Sequence, residues 1–266
     1  MVTIASNLQA VRARIERAAH AAGRHAGAIE LVAVGKTFPA GSVAEAHAAG
    51  QRAFGENYAQ EAVAKITELA YLSPSPMWRA AQAHRENIRT RSDAIIPPSG
   101  VASPEGPLLL PLEWHFIGPI QSNKTSLIAT HFQWVHSVER EKIAQRLNAS
   151  RPAGLPPLDV CIQVNVSGEA AKSGVQPGAE VQLADAIARL PRLRLRGLMA
   201  IPEPTFDAAL QRRRFALLRE LKDQLAARGH ALDTLSMGMS DDLEAAIAEG
   251  ATIVRVGTAI FGSRIK

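Results

Sequence analysis

The residue best placed to do chemistry is Lys36, which ends the run Leu31-Val-Ala-Val-Gly-Lys36. A short apolar stretch of this kind reads as a buried parallel strand, and an amine delivered at its end sits where a Schiff-base lysine would sit. Burial beside other cationic groups lowers an ammonium's pKa and exposes a nucleophilic amine, whereas a lysine that merely leaves the sheet for water gains no such reactivity. Two turns late in the chain bear on the choice. Leu235-Ser-Met-Gly-Met-Ser-Asp241 places a glycine and two hydroxyls before a predicted helix starting near Asp241, with Ser240 as its N-cap. Free N–H groups at such a start hold a phosphate, although an ordinary capped helix explains the same string. Arg255-Val-Gly-Thr258 supplies a second Gly-Thr turn. A lysine facing a phosphate cradle fits a cofactor that is both an aldehyde and a phosphate ester, as pyridoxal 5'-phosphate (PLP) is. That cofactor needs a lysine for the imine, a phosphate anchor and a partner for its ring nitrogen.

These groups lie far apart in the chain, so the fold has to bring them together. Apolar runs read as strands at Leu31 to Gly35, Arg52 to Gly55, Trp114 to Gly118, Trp134 to His136, Leu158 to Val164, Leu195 to Met199, Thr234 to Ser236 and Thr252 to Val256. Segments of helical period lie between most of them, such as Ser42 to Gly50, Tyr58 to Ala70, Arg140 to Leu147, Ala179 to Leu190, Phe206 to Arg228 and Asp241 to Gly250. Strand-helix alternation predicts a parallel sheet, and eight units predict closure into a single TIM-type (β/α)8 barrel spanning residues 1–266. In such barrels the C-terminal strand ends surround the active site, and phosphate sites form from the loops after strands seven and eight. The expected rim residues are Lys36, Glu56 with Asn57, His115 with the turn Gln121 to Lys124, and Asn165 with Ser167.

Two features lie outside this rhythm. Residues 1–24 form an extra basic amphipathic helix with its stripe at Ile4, Leu8, Val11 and Ile15. It is expected to pack on the barrel, though it loosely resembles a transit peptide. Residues 71–112 form a proline-rich insertion before strand three, around a possible helix from Met77 to Arg89. It reads as a lid, an interaction loop or a disordered insertion.

A net charge of +5 without a long basic block argues against nucleic acid as a partner and is compatible with anionic small molecules. The single cysteine, Cys161, lies inside an apolar run and reads as an inert buried thiol. No stretch is long and apolar enough to span a bilayer and no signal peptide is visible, so a cytoplasmic location is expected. His131, His136 and His230 lack metal-ligand spacing, so no metal is expected. Trp78, Trp114 and Trp134 read as core or insertion anchors rather than cofactor stackers.

Seven ordered strings also resemble a known family. VGKTFP around Lys36, FGENYAQE (Phe54 to Glu61), EWHFIGPIQSNK (Glu113 to Lys124), QVNVSGEAAKSGV (Gln163 to Val175), RGLMAIP (Arg196 to Pro202), LSMGMSDDLEAAI (Leu235 to Ile247) and VRVGTAIFG (Val254 to Gly262) look like the YggS/PROSC family. These are pyridoxal-phosphate homeostasis proteins, similar in fold to the N-terminal barrel of alanine racemase. The resemblance covers nearly the whole chain except Tyr71 to Leu112, where the family has a short connection. It implies that Lys36 carries the Schiff base, that Ser240, Gly257 and Thr258 bind phosphate, and that Met237, Gly238 and Met239 shape the same turn. It further implies that Arg255 faces the pyridine nitrogen, that Asn57 lies near the ring, and that His115, Asn165 and Met199 line the pocket.

A guanidinium does not readily share its proton, so the ring would be a weak electron sink. The chain ends at Lys266 without room for the racemase's β-domain, and the only tyrosines are Tyr58 and Tyr71. The expected function is therefore a non-catalytic PLP carrier, a monomer that serves recipient PLP enzymes. The alternative is a small PLP-dependent amino-acid racemase or lyase using Lys36 on one face and His115 or Tyr58 on the other.

Overall fold

The computed structural model describes residues 3–70, 111–169 and 173–263. The predicted insertion, Trp78 included, therefore lies outside the described residues apart from Pro111 and Leu112. The chain enters through helix α1, Ile4–Ala21, whose first turn is closed by a capping box. The Ser6 N–H donates to Thr3 Oγ1 at 3.1 Å and the Thr3 N–H donates to Ser6 Oγ at 3.0 Å. Leu8, Val11, Ile15, Ala18 and Ala19 are its buried face, at the spacing of one helical stripe. That face packs on the barrel, as the amphipathic pattern predicts.

Eight strands follow: β1 Glu30–Val34, β2 Ala53–Glu56, β3 Glu113–Phe116, β4 Trp134–Val138, β5 Leu158–Gln163, β6 Leu193–Met199, β7 Thr234–Ser236 and β8 Ile253–Val256. They pair in sequence order as one closed parallel barrel. Helices α2 (Ala40–Ala48), α3 (Ala59–Glu68), α4 (Thr125–His131), α5 (Glu141–Ser150), α6 (Glu180–Ala188), α7 (Ala208–Ala227), α8 (Leu243–Ala248) and α9 (Thr258–Phe261) lie between and after them. The short α4 and α9 are not legible in the hydrophobic period, since seven and four residues present too little of a stripe.

Val32, Ala53, Trp134, Cys161, Met199 and Ile253 come from six different strands yet form one cluster. Only the barrel axis can bring them together. Alternate residues such as Ala33, Phe54 and Val135 belong to the larger core between sheet and helices. Between β5 and β6 the register shifts by one residue after Val160, which turns Gly197 toward the β7 backbone. A Cβ on Gly197 would stand 1.8 Å from the Thr234 carbonyl oxygen.

The N-terminal end of the barrel is ionic. Asp159 binds Arg194 and, at 3.0 Å, Arg196, which also reaches Asp233 at 2.6 Å and lies 4.8 Å over the Trp134 ring. Trp134 Nε1 donates to Glu113 at 2.8 Å. Ligating atoms of Glu30, Glu113 and His115 lie within 4.8 Å of one another, a grouping that no sequence spacing announces. Enclosure of its carboxyl end, followed by repulsion from Glu113, pushes Glu30 up to about 7.

Two measurements check this account. Gly197→Ala should destabilise the barrel by about 2 to 3 kcal/mol in urea melts, because backbone must move to admit one methyl. The raised Glu30 pKa means that the folded chain keeps a proton that the unfolded chain has released between about 4.5 and 7. Its contribution is thus fully present below that window and lost as pH rises through it. Glu30→Gln should reduce the fall in urea midpoint from pH 5 to pH 7.5 and be the more stable form at the upper end.

Candidate functional site

Lys36 follows β1 in a turn at the C-terminal rim and is half-buried. It stands two residues beyond Val34, the last residue of β1. Its flanking residues are gripped from outside the sheet. Lys65, on α3, is buried, and its ammonium donates to the Gly35 carbonyl at 2.7 Å and to Glu56 Oε1 at 2.8 Å, and pairs with Glu61 Oε1 at 2.7 Å. The Thr37 N–H donates to the same Glu61 oxygen at 2.7 Å. Thr37 holds φ at 68°, the only non-glycine with a positive φ among the described residues. A β-branched residue resists that conformation, so surrounding contacts have to impose it. Burial pushes Glu56 up to about 7 against the opposing pull of Lys65.

From β8, Arg255 points into the barrel with 3% of its surface exposed. Its Nη1 donates to Ser236 Oγ at 2.5 Å and its Nη2 to the Ala200 carbonyl at 2.9 Å. The row continues downward, with Ser236 Oγ 2.7 Å from His136 Nδ1 and His136 Nε2 2.9 Å from His115 Nδ1. Burial lowers Arg255 to about 10, so the guanidinium keeps its charge at neutral pH. Burial also holds His115 at about 3 and His136 well below its ordinary value, leaving both rings neutral.

Two glycine turns stand next to this row. Gly238 has φ 94°, and a Cβ there would lie 2.6 Å from Ala246 Cβ. Its carbonyl accepts the Arg255 N–H at 2.9 Å, which ties the turn after β7 to β8. At Gly257 a Cβ would stand 3.3 Å from the Val34 carbonyl, so the turn after β8 runs directly beside the end of β1. One expectation is corrected here. The helix after the first turn begins at Leu243 with Asp242 as N-cap, and Ser240 lies within the turn. The Asp242 carboxylate makes no capping bond to the helix; it accepts the Met239 N–H at 2.6 Å, within the turn. The Ser240 carbonyl accepts from Arg14 of α1 at 2.7 Å.

Other expected site residues divide. Asn57 follows β2 at the rim, and its Oδ1 is buried with no hydrogen-bond partner. Met199 lies on the axis and Thr258 opens α9 behind Gly257. Asn165 turns its amide to its own loop, accepting the Ser167 and Gly168 N–H groups at 3.2 Å and donating to the Glu169 carbonyl at 2.6 Å. Met237 is buried in the core between sheet and helices, so it supports its turn from behind. His115 sits within β3, fully buried beneath the rim, where its position in the motif suggests the rim itself.

Sequence reading misses Lys65, whose spacing from Glu61 looks like a solvated helix pair, and His136, which no motif marks; it places Ser236 in the turn motif but not in the row below Arg255. It also misses Gly118, where a Cβ would meet the Asn57 carbonyl oxygen at 2.2 Å.

Comparison with known proteins shows the family. Residues 6–265 match the alanine racemase N-terminal domain. The pyridoxal phosphate homeostasis protein of Pseudomonas aeruginosa is 57% identical over 264 residues, which cover 99% of this chain and 97% of that protein. The chain belongs to the pyridoxal phosphate homeostasis protein family. Its Escherichia coli K12 member is 48% identical over 267 residues, covering 99% of this chain and 98% of the other. PipY of Synechococcus elongatus PCC7942, solved with PLP bound, is a structural neighbour at 31% identity and a TM-score of 0.73, covering 98% of this chain and all of that one. Alanine racemase from Corynebacterium glutamicum shares the fold at 15% identity and a TM-score of 0.58.

The glycine requirement at the family's turn can be measured. Gly238→Ala should cost about 2 kcal/mol in urea melts, since it combines a positive φ with a collision. Gly41→Ala, in α2 with open space around it, should be neutral or gain up to about 1 kcal/mol.

Proposed function

We propose that this chain binds PLP at the barrel rim through Lys36 and serves to hold and deliver the cofactor in PLP homeostasis, without turning over a substrate of its own. The observation that carries the reading is the pairing of β1 with β8. It sets the end of the Lys36 strand against the Gly257-Thr258 turn, with Arg255 on the same wall. The family's name and the PLP-bound PipY structure support the same choice of ligand.

PLP brings an electrophilic aldehyde, a phosphate and a pyridine ring. Lys36 supplies the amine for the Schiff base, and the turns at Gly238 to Ser240 and Gly257 to Thr258 offer backbone N–H groups and hydroxyls to a phosphate. Asn57 contributes a buried polar atom in need of a partner. Arg255, which keeps its charge, would face the ring nitrogen and would limit the cofactor's capacity to take up electrons.

His115, a candidate second base, is closed off beneath the rim and bonded to His136, which favours the carrier over the racemase or lyase. Tyr58, 55% exposed at the start of α3, is the base left to that rival. The reading extends to a cytoplasmic monomer that passes PLP to recipient enzymes.

Borohydride reduction of the PLP-loaded protein followed by peptide mass spectrometry should place one phosphopyridoxyl group on the peptide carrying Lys36. Labelling spread over surface lysines, or no loading, would defeat the cofactor reading. Amino acids incubated with the loaded protein in D2O should show no α-deuterium exchange, and exchange abolished by Tyr58→Phe would replace the carrier with the enzyme.

A further inference from the structure

The ion cluster behind Lys36 is absorbed by none of the roles above. Lys65 is an ammonium with its proton-donating capacity taken up by the Gly35 carbonyl, Glu56 and Glu61, and it is 5% exposed. Glu56 has no exposed surface, and its Oε2 has no hydrogen-bond partner. Burying the Lys65 and Glu56 charges costs more than joining a strand to a helix requires, since apolar residues do that as well. What distinguishes this cluster is where it attaches. It takes the carbonyl of Gly35 and the N–H of Thr37, the residues on either side of Lys36, and so holds both peptide units that aim the lysine. Gly35 also has to lack a side chain, because a Cβ there would come within 3.0 Å of Glu56 Oε1.

We infer that Glu56, Glu61 and Lys65 are positioning residues for Lys36, clamping its turn from outside the barrel by holding the Gly35 carbonyl and the Thr37 N–H. The inference rests on the reading of Lys36 as the reactive amine.

The clamp is tested by the double variant Glu56→Met/Lys65→Met, an apolar replacement that can keep the fold. With its thermal midpoint near that of the wild type, it should form the Schiff base at Lys36 about tenfold more slowly, the order of loss that misplacing a reacting group brings. A folded double variant that reacts at the wild-type rate overturns the clamp. Where the double variant does not fold, Glu61→Ala takes its place, releasing Thr37 alone with the same slowing expected and the same rate overturning it. Failure of the wild type to take PLP at Lys36 would remove the functional reading.

Discussion

Pairing of β1 with β8, with Leu31 opposite Val254 and Val32 opposite Arg255, closes the sheet, and the rim depends on that closure. Lys36 and Thr258 lie far apart in the chain, and in an open sheet their strands would stand on opposite edges. Closure puts them on adjacent strands, and Gly257 passes close to the Val34 carbonyl because no side chain intervenes. Helix α1 covers the seam, reaching the Ser240 carbonyl through Arg14 and the Ile260 carbonyl through Asn7 at 2.8 Å. A surface helix thus holds the backs of both turns that the proposed phosphate site uses.

Beneath the rim, the barrel axis changes character with depth. Met199, Cys161, Val32 and Ile253 give it an apolar layer, and the Arg255, Ser236, His136 and His115 side chains thread a polar row through it. Such a row is tolerable only because its members bond one another, since buried polar groups without partners are costly. Both imidazoles stay neutral, so the guanidinium is the fixed charge of the row and its field is directed at the rim. The exception is His115 Nε2, which has no partner and faces Glu113 at 4.0 Å at the opposite end of the barrel.

Three of the ionic groups among the described residues differ in physical weight. The Asp159, Arg194 and Arg196 set and the Asp233 pair lie partly in solvent at the strand starts, where such bridges contribute little singly. Glu249 binds Arg212 and Arg219 on the helical exterior at 2.7 and 2.9 Å. Only the Lys65 cluster is withdrawn from water, and only it touches the lysine turn. Burial rather than number therefore separates the ion pair tied to the site from those that merely decorate the surface.

Alternation of eight apolar runs with helical segments made the barrel legible, because a period of two or a continuous apolar run reports directly on which faces are buried. The positions of Lys36, Asn57, Gly238, Gly257 and Thr258 were readable for a related reason: in a parallel barrel, a residue's place just after a strand is already a place at the rim. Short helices escaped this reading, as did the helix start at Leu243 rather than near Asp241, since the length of the turn after β7 is set by its packing and not by hydrophobic period. Asn165 and Met237 occupy expected positions in their motifs, yet their side chains turn to the loop and to the outer core. The sequence by itself determined the number and order of strands and the rim positions, because these follow from local hydrophobic period and chain order. Tertiary structure alone decided that Lys65 is buried against Glu56 and Glu61 and that Ser236 and His136 extend from Arg255, because burial and hydrogen-bond partners are properties of residues brought together from different strands.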